Sequence, residues 1–545
     1  MTPRSLGHRA PLLWLVLPYS AGLAISKALH GLSPPICLTL GLAGLIPAAL
    51  WASNRPKLWA LALCISLGAA GAASYTLHRA RLPEWTTLPP REAKLGLRVD
   101  YAFARVHENR TTGLATVRRA EPHLADLIGQ RVYFSLRNPS AGAVVLRSAE
   151  IDAVGVLELL PENPPTNTFD GYLAASGMNF TLTRGQVLRV TSPPTAFRSF
   201  CENTAQHFAR ILGHQVEERR PDLASVSRAM LLGQKDELNA EQDALFMRSG
   251  TMHLFAISGL HIGVIAAGIH ALFSLLRVPR LPKLVLSLTL LWLYVQITGG
   301  APSAVRAFIM VALFQLTLQL RLPGSPLSAL TTAALVVLLT EPLQLFSASF
   351  QMSYGIVAAL LLYGLPLSET WLRRWPPFPY LPIKTWRWWH RVAAAAWHWL
   401  LSVVAIGIAA ILFSVPAGVE YFGLFTPGAL LANLALIPMS SLVILAGMGS
   451  LVCGLAGFTV GSALCNHAAI LVLWGMETGI RWFVAVPGVY HVAAFAAEWI
   501  GPVTFAALLG CMIFGYHRRW QSGVAIWWLP PALIVLVAIF GVNYP

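Results

Sequence analysis

Gly250-Thr251-Met252-His253-Leu254-Phe255-Ala256-Ile257-Ser258-Gly259-Leu260-His261-Ile262-Gly263 stands where the character of this 545-residue chain changes. Upstream, residues 78–250 hold 21 of the 39 basic and 19 of the 24 acidic residues, a polar region of net charge +2. Downstream, apolar runs succeed one another, and outside 78–250 only five acidic residues occur: Glu341, Glu369, Glu420, Glu477 and Glu498. With 56% hydrophobic and 12% charged residues, against about 25% charged in ordinary soluble domains, the chain is an integral membrane protein. Within the quoted stretch Ser258-Gly259 can open a helix, and irregular backbone is tolerated at membrane depth only beside protein or a watery cavity. The same residues also suit a helix-packing Ser-Gly pair flanked by two hydrogen-bonded histidines.

A spanning helix needs about 20 mainly apolar residues. Thirteen candidates lie near 11–30, 35–52, 57–77, 251–276, 283–299, 303–320, 327–340, 344–365, 393–415, 424–452, 460–482, 492–516 and 524–541. The run at 327–340 is short and that at 424–452 is broken by Pro427 and Pro438, so either can be re-entrant and 11–13 spans are expected. The formal charge of +15 first suggests a nucleic-acid partner, but its placement follows the positive-inside rule. With a cytoplasmic N-terminus, 15 of the 18 membrane-part basic residues fall on one face, Arg55, Lys57, Arg277, Arg280, Lys283, Arg373 and Arg374 among them. Lys27, Arg306 and Arg481 are the exceptions. Three spans precede the polar region, which is therefore extracytoplasmic. Seven tryptophans between Trp371 and Trp399, among Arg and Lys, read as an interfacial anchor.

Within the polar region, alternation predicts strands. Leu95, Leu97, Val99, Tyr101 and Phe103 recur every second residue, as do Val132, Phe134 and Leu136, with further strand-like pieces at 114–119, 143–158 and 179–191. Five short strands and one helix near 170–176 fit a small OB-like β-barrel, and a small sandwich fits the pattern nearly as well. Amphipathic patterns at 197–220 and 236–248 predict helices on the membrane surface. The expected organisation is thus 1–77, three transmembrane helices; 78–196, the OB-like domain; 197–250, an amphipathic helical linker; and 251–545, the membrane channel domain.

Catalytic constellations are missing from the sequence. No Gly-Lys dipeptide occurs, which excludes a P-loop, and HExxH, HxH and GxSxG are absent, so neither catalytic residues nor metal ligands nor a cofactor are expected. A conduit or transporter is the better expectation. Three further polar breaks accompany the first: Gly299–Ala307, with Pro302-Ser303 and Arg306; Ser349–Gly355, with Gln351; and Asn433–Pro438. A helix opened by Pro-Ser with Arg in its first turn favours an anion, and an interfacial arginine that snorkels outward fits Arg306 equally well. Interhelical hydrogen bonding alone also accounts for the last two. Glu477 and Glu498, in or near apolar runs, are ionisable candidates at membrane depth.

Taken together and in this order, the four breaks resemble the ComEC family of competence DNA-uptake channels. Gly250–Gly263, preceded by Leu232-Gly233-Gln234, is similar to the family hallmark; Gly300–Ala307, Phe350-Gln351-Met352-Ser353-Tyr354 and Asn433–Pro438 resemble its later motifs, and Phe169-Asp170-Gly171-Tyr172-Leu173 the end of its external domain. The resemblance implies an inner-membrane channel passing single-stranded DNA to the cytoplasm, with His253, Ser258, Gly259, His261, Arg306, Gln351, Asn433 and Pro438 as channel candidates. It implies as partners the DNA strand, membrane lipid, an external DNA receptor, a cytosolic helicase-like ATPase, a separate nuclease and a second copy of the chain. The basic 373–391 loop suits a motor or strand exit, and equally a purely topogenic charge. Nuclease activity is not expected, since the chain lacks the HxHxDH motif of the metallo-β-lactamase-like domain that many members carry. OB barrels stack bases on aromatics beside basic side chains, which makes Arg98, Tyr101, Arg105, Arg118, Arg119, Arg131, Tyr133 and Arg137 the DNA-binding candidates, with Phe103 and Phe134 assigned to the barrel core by alternation. A transporter of a small or lipid-linked anion, or a non-catalytic scaffold, would use the same breaks without needing the barrel.

Overall fold

The computed structural model describes residues 10–29, 33–79, 89–103, 110–138, 145–161, 164–234, 237–320, 325–520 and 524–544. Three apolar helices come first, α1 (Leu13–Ala28), α2 (Pro34–Trp51) and α3 (Pro56–His78). Proline starts α2 and α3, where its missing N–H has no intrahelical partner to lose. Glycine sets how closely α1 and α3 approach. A Cβ on Gly22 would lie 1.8 Å from the Gly68 carbonyl oxygen, and one on Gly71 2.2 Å from that of Tyr19. Small residues let helix backbones meet in this way in a bilayer.

The polar region folds as a closed five-stranded barrel. Its strands are β1 (Arg91–Phe103), β2 (Arg110–Ala120), β3 (Arg131–Arg137), β4 (Glu150–Leu159) and β5 (Phe180–Ser192), with helix α4 (Phe169–Ala175) between β4 and β5. The order is β1-β2-β3-β5-β4, closed by β4 on β1; β3 and β5 run parallel and all other pairs antiparallel. This closed barrel is consistent with the OB-like expectation. Leu95, Leu97, Val99, Val132, Phe134, Leu136, Ile151 and Leu182 fill its core, as their alternation predicted.

Phe103 departs from that prediction. The β1–β2 register shifts between Val99 and Tyr101, and a one-residue slip moves every later side chain to the opposite face. Ala102 therefore packs on the core, while Tyr101 and Phe103 join Tyr133, Leu114, Leu173 and Met178 in a separate cluster outside it.

On the barrel surface Asp152 accepts from Arg119 at 3.0 Å and Arg189 at 2.8 Å. Burial pushes its carboxyl up, but the Arg189 hydrogen bond and the charges of Arg119 and Arg189 outweigh this and hold it below its ordinary range. The contribution to stability is therefore present above the unfolded value of about 3.9 and lost as pH falls through the lower folded value. Asp152→Asn is expected to remove this acid-sensitive component. Melting temperature followed from pH 6 downward checks it: the loss on acidification should be smaller in the variant than in the wild type.

Between barrel and membrane helices lie α5 (Ala196–Gly213), α6 (Pro221–Leu232) and α7 (Ala240–Arg248). The expected surface helices cover 197–220 and 236–248, and between them stands a third helix, α6, of a different kind. Every residue of α6 from Leu223 to Leu232 is buried, packed by α5 and by later membrane helices. Its one charged side chain there, Arg228, is neutralised by Glu217 at 3.2 Å and Glu237 at 2.5 Å.

The remaining helices are α8 (Gly259–Leu275), α9 (Arg280–Ile297), α10 (Pro302–Gln319), α11 (Pro326–Thr340), α12 (Ala348–Ala359), α13 (Leu365–Arg374), α14 (Trp388–Phe422), α15 (Ala429–Leu455), α16 (Thr459–Val484), α17 (Ile500–His517), α18 (Val524–Trp527) and α19 (Leu529–Phe540). A π-helical turn, Leu360–Gly364, joins α12 to α13. Among the described residues ten helical stretches are long and apolar enough to cross a membrane, and α1, α11 and α19 are apolar but shorter. The thirteen expected runs thus divide into ten and three. Helix α14 has 35 residues, roughly 52 Å at 1.5 Å per residue, so it outruns a hydrocarbon core of about 30 Å. Its first turns carry Trp388, Trp389, Trp397 and Trp399.

Candidate functional site

The first polar break is an unwound entry to α8. A single 3₁₀ turn, Met252–Leu254, is followed by non-helical backbone, and α8 begins only at Gly259. Ser258 caps it: its hydroxyl lies 2.8 Å from His261 Nδ1 and its backbone N–H donates to the same nitrogen at 3.3 Å. Because Nδ1 accepts from that N–H, the neutral imidazole carries its proton on Nε2. His261 is fully buried, whereas His253 and Gly259 are exposed. A Cβ on Gly263 would meet nothing within 4 Å.

The second and third breaks are also helix starts, and Arg306 ties them together. Pro302 opens α10, and Ser347 caps α12 by accepting from the Phe350 N–H. Arg306, one turn into α10 and 2% exposed, donates to Gln344 Oε1 at 3.1 Å, the Ser349 carbonyl at 2.8 Å, the Ser349 hydroxyl, and Ser353 Oγ at 3.3 Å. Gln344 in turn donates to Glu341 Oε2 at 2.6 Å. The guanidinium is thus held by neutral acceptors, with a carboxylate one residue further out. A planar fork of five donors suits such a site better than an ammonium.

The fourth break is not a break in the backbone. Asn433 and Pro438 both lie inside α15, which runs unbroken past the proline, and the hydroxyls of Ser440 and Ser441 bond the Ile437 carbonyl beside it. Packing by neighbouring helices makes proline tolerable at membrane depth.

Folding brings the four motifs together. Ser303 Oγ donates to the Ile257 carbonyl at 2.9 Å, joining the second break to the first. Arg306 joins the second to the third. Leu254 and Phe255 of the first share one apolar cluster with Leu436 of the fourth and Ala432 just before it. His261 Nε2, Arg306 Nε, Gln351 Oε1, Tyr354 OH and Asn433 Oδ1 are buried polar atoms without a protein partner. A buried polar group left unpaired costs about 1–3 kcal/mol, so each of these atoms suits a water or a polar ligand beside it.

The barrel domain meets the membrane helices beside Gln344, a partner of Arg306. Helix α4 packs on the 3₁₀ turn Pro342–Phe346, which carries Gln344, and Thr166 Oγ1 donates to Glu420 Oε1 at 2.6 Å at the end of α14. On the barrel's flank Tyr101, Phe103, Tyr133, Phe169 and Tyr172 form an aromatic wall, with neighbouring ring centroids 5.1–6.4 Å apart. Phe169 is 52% and Tyr172 41% exposed. Burial pushes the phenols of Tyr133 and Tyr172 up, so both stay neutral donors.

Of the basic candidates, Arg98, Arg118, Arg119 and Arg137 are exposed and Arg131 is half-buried; Arg105 lies outside the described residues. Arg119 is paired with Asp152, which leaves less charge free than composition suggested. Glu477 is paired with Arg481 at 2.7 Å and Glu498 is exposed. Gln344, Ser349 and Ser353 at Arg306, and Phe169 and Tyr172 in the aromatic wall, were not among the expected site residues. The Phe169-Asp170-Gly171-Tyr172 motif is the signal that pointed to the last two.

Comparison with known proteins agrees with this arrangement. Residues 230–519 match the family described as Competence protein. The chain is 32% identical over 142 residues, 26% of its length and 18% of the relative's, to ComE operon protein 3 of Bacillus subtilis. It is 29% identical over 228 residues, 40% of its length and 26% of the relative's, to Recombination protein 2 of Haemophilus influenzae. The matched stretches thus span about a quarter or less of those relatives. No solved structure matches the chain. A family match that takes in all four polar breaks and covers more than half of the residues places this membrane protein in the ComEC family of competence proteins.

Proposed function

We propose that this protein conducts single-stranded DNA across the bacterial inner membrane during transformation. The reading rests above all on the meeting of the four polar breaks beneath an external barrel. A polyanion crossing a bilayer needs a wet path poor in carboxylates, and the neighbourhood of Arg306 offers amide, hydroxyl and guanidinium groups, with the Glu341 carboxylate reached through Gln344. The barrel lies outside the cytoplasm in this account, and the N-terminus inside. The strand is captured on the aromatic wall and passes the α4 contact to the site of the four breaks.

Base stacking on an aromatic side chain contributes about 1–3 kcal/mol per base. Phe169→Ala with Tyr172→Ala is therefore expected to weaken single-strand binding by the purified protein at least tenfold, read by fluorescence anisotropy at low salt. Unchanged affinity would remove the wall from the path.

The chain has no P-loop, so the driving force comes from a cytosolic helicase-like ATPase. An external DNA receptor and a separate nuclease deliver the strand, and the protein itself acts as a channel and not as an enzyme. The test uses Gly263, where an added Cβ has no atom within 4 Å. Gly263→Phe should leave insertion and abundance unchanged and lower labelled-DNA uptake in a deletion strain at least tenfold. Wild-type uptake by the Gly263→Phe variant would take α8 out of the conduit.

A further inference from the structure

At the far ends of α8, α9 and α10, away from the four breaks, lies a groove of about 520 Å³ lined by His270, Arg280, Lys283, Gln315 and Gln319. No carboxylate lines it, and neither Arg280 nor Lys283 takes part in an ion pair among the described residues. Lys283 Nζ donates to Ser274 Oγ at 3.1 Å, which fixes the ammonium while leaving two of its three donors open. Gln315 and Gln319 are one turn apart on α10 and so present their amides on one face. The groove thus offers three cationic or ionisable groups and two amides, an array of donors for a phosphate.

Its lining is also apolar: Leu284 and Leu318 stand among these groups, and Leu318 is 58% exposed. Arg280 and Lys283 belong to the basic set that the positive-inside rule puts on the cytoplasmic face, where anionic headgroups concentrate. A ligand that is at once phosphodiester and acyl chain matches such a site; a free anion has no use for the leucines, and a DNA strand would expose bases to them.

We infer that this groove is a binding site for the headgroup of an anionic glycerophospholipid of the inner leaflet, its phosphodiester held by Arg280 and Lys283 and its chains lying along Leu284 and Leu318. The site is separate from the proposed DNA path and does not depend on it.

The experiment uses the full chain in detergent. Native mass spectrometry counts the phosphatidylglycerol retained by wild type and by Arg280→Gln/Lys283→Gln, and thermal unfolding is followed with dioctanoyl phosphatidylglycerol, dioctanoyl phosphatidylcholine and inorganic phosphate. Wild type should keep one more phosphatidylglycerol than the double variant. Its midpoint should rise with phosphatidylglycerol alone, and that rise should be absent in the variant.

Equal lipid retention by both proteins would overturn the inference, as would equal stabilisation by inorganic phosphate. Displacement of the retained lipid by a single-stranded oligonucleotide would also overturn it, by reassigning the groove to the strand. Should the double variant not fold, Arg280→Gln alone, at an exposed position, should release the lipid at lower collision energy. Unchanged release would count against the site.

Discussion

A strain whose only copy of the protein carries Arg306→Ala is expected to transform at background level, with the purified variant markedly less stable than wild type. Arg306 is buried and donates to Gln344, Ser349 and Ser353. Truncation leaves these acceptors unpaired at about 1–3 kcal/mol each, so a loss on the order of 3 kcal/mol or more follows. The damage reaches function because Arg306 holds the start of α10 against the start of α12. Arg306→Lys separates charge from geometry: an ammonium is a point charge without the guanidinium fork, so it should restore part of the stability and little of the uptake. Full activity with lysine would show that charge alone suffices there. Arg306→Glu is a poorer probe because its carboxylate would face the Ser349 carbonyl in a buried site.

Gly185→Val should open the barrel. A Cβ at this position would lie 1.9 Å from the Val154 carbonyl oxygen and 2.5 Å from Gly155 Cα. Both obstacles are backbone, and the β4–β5 register already shifts between Val154 and Val156. Overpacking usually costs about 1–3 kcal/mol. Here no side chain can move aside, so the upper end of that range is expected, with loss of closure between β4 and β5. Limited proteolysis of the full-length protein provides the measurement. New cuts should appear within residues 91–192 while the membrane helices stay protected, and single-strand binding should fall together with that protection. A variant as resistant as wild type would mean that the strands can separate at this point without opening the barrel.

The sequence shows the helices and strands more clearly than the contacts between them. Hydropathy locates all thirteen apolar runs because burying about 20 apolar residues in lipid overrides other local preferences. It does not measure helix length, which is why α1, α11 and α19 fall short. Alternation finds the barrel core up to Val99 and fails at Phe103, since a bulge inserts one residue without changing the pattern around it. Gly113 was the available sign: a Cβ there would lie 2.3 Å from the Tyr101 carbonyl, and glycine inside a strand often marks a bulge or close backbone approach.

Helix α6 escaped notice because its 12 residues include Ser225, Ser227 and Arg228, which break the apolar pattern but are buried nonetheless. The four breaks are legible as polar residues in apolar runs. Their convergence is not, because Arg306 finds partners 38 to 47 residues away. Pro438 shows the opposite limit: a proline that reads as a break is carried inside a continuous helix.

A photo-crosslinking residue at position 259 or 253, both exposed at the first break, tests the conduit most directly. During uptake of labelled DNA by an otherwise intact strain, irradiation should yield an adduct between the protein and single-stranded DNA at each position. The adduct should disappear when Arg306→Ala is added. Wild-type uptake without an adduct at either position would contradict passage of the strand through the meeting point of the four breaks.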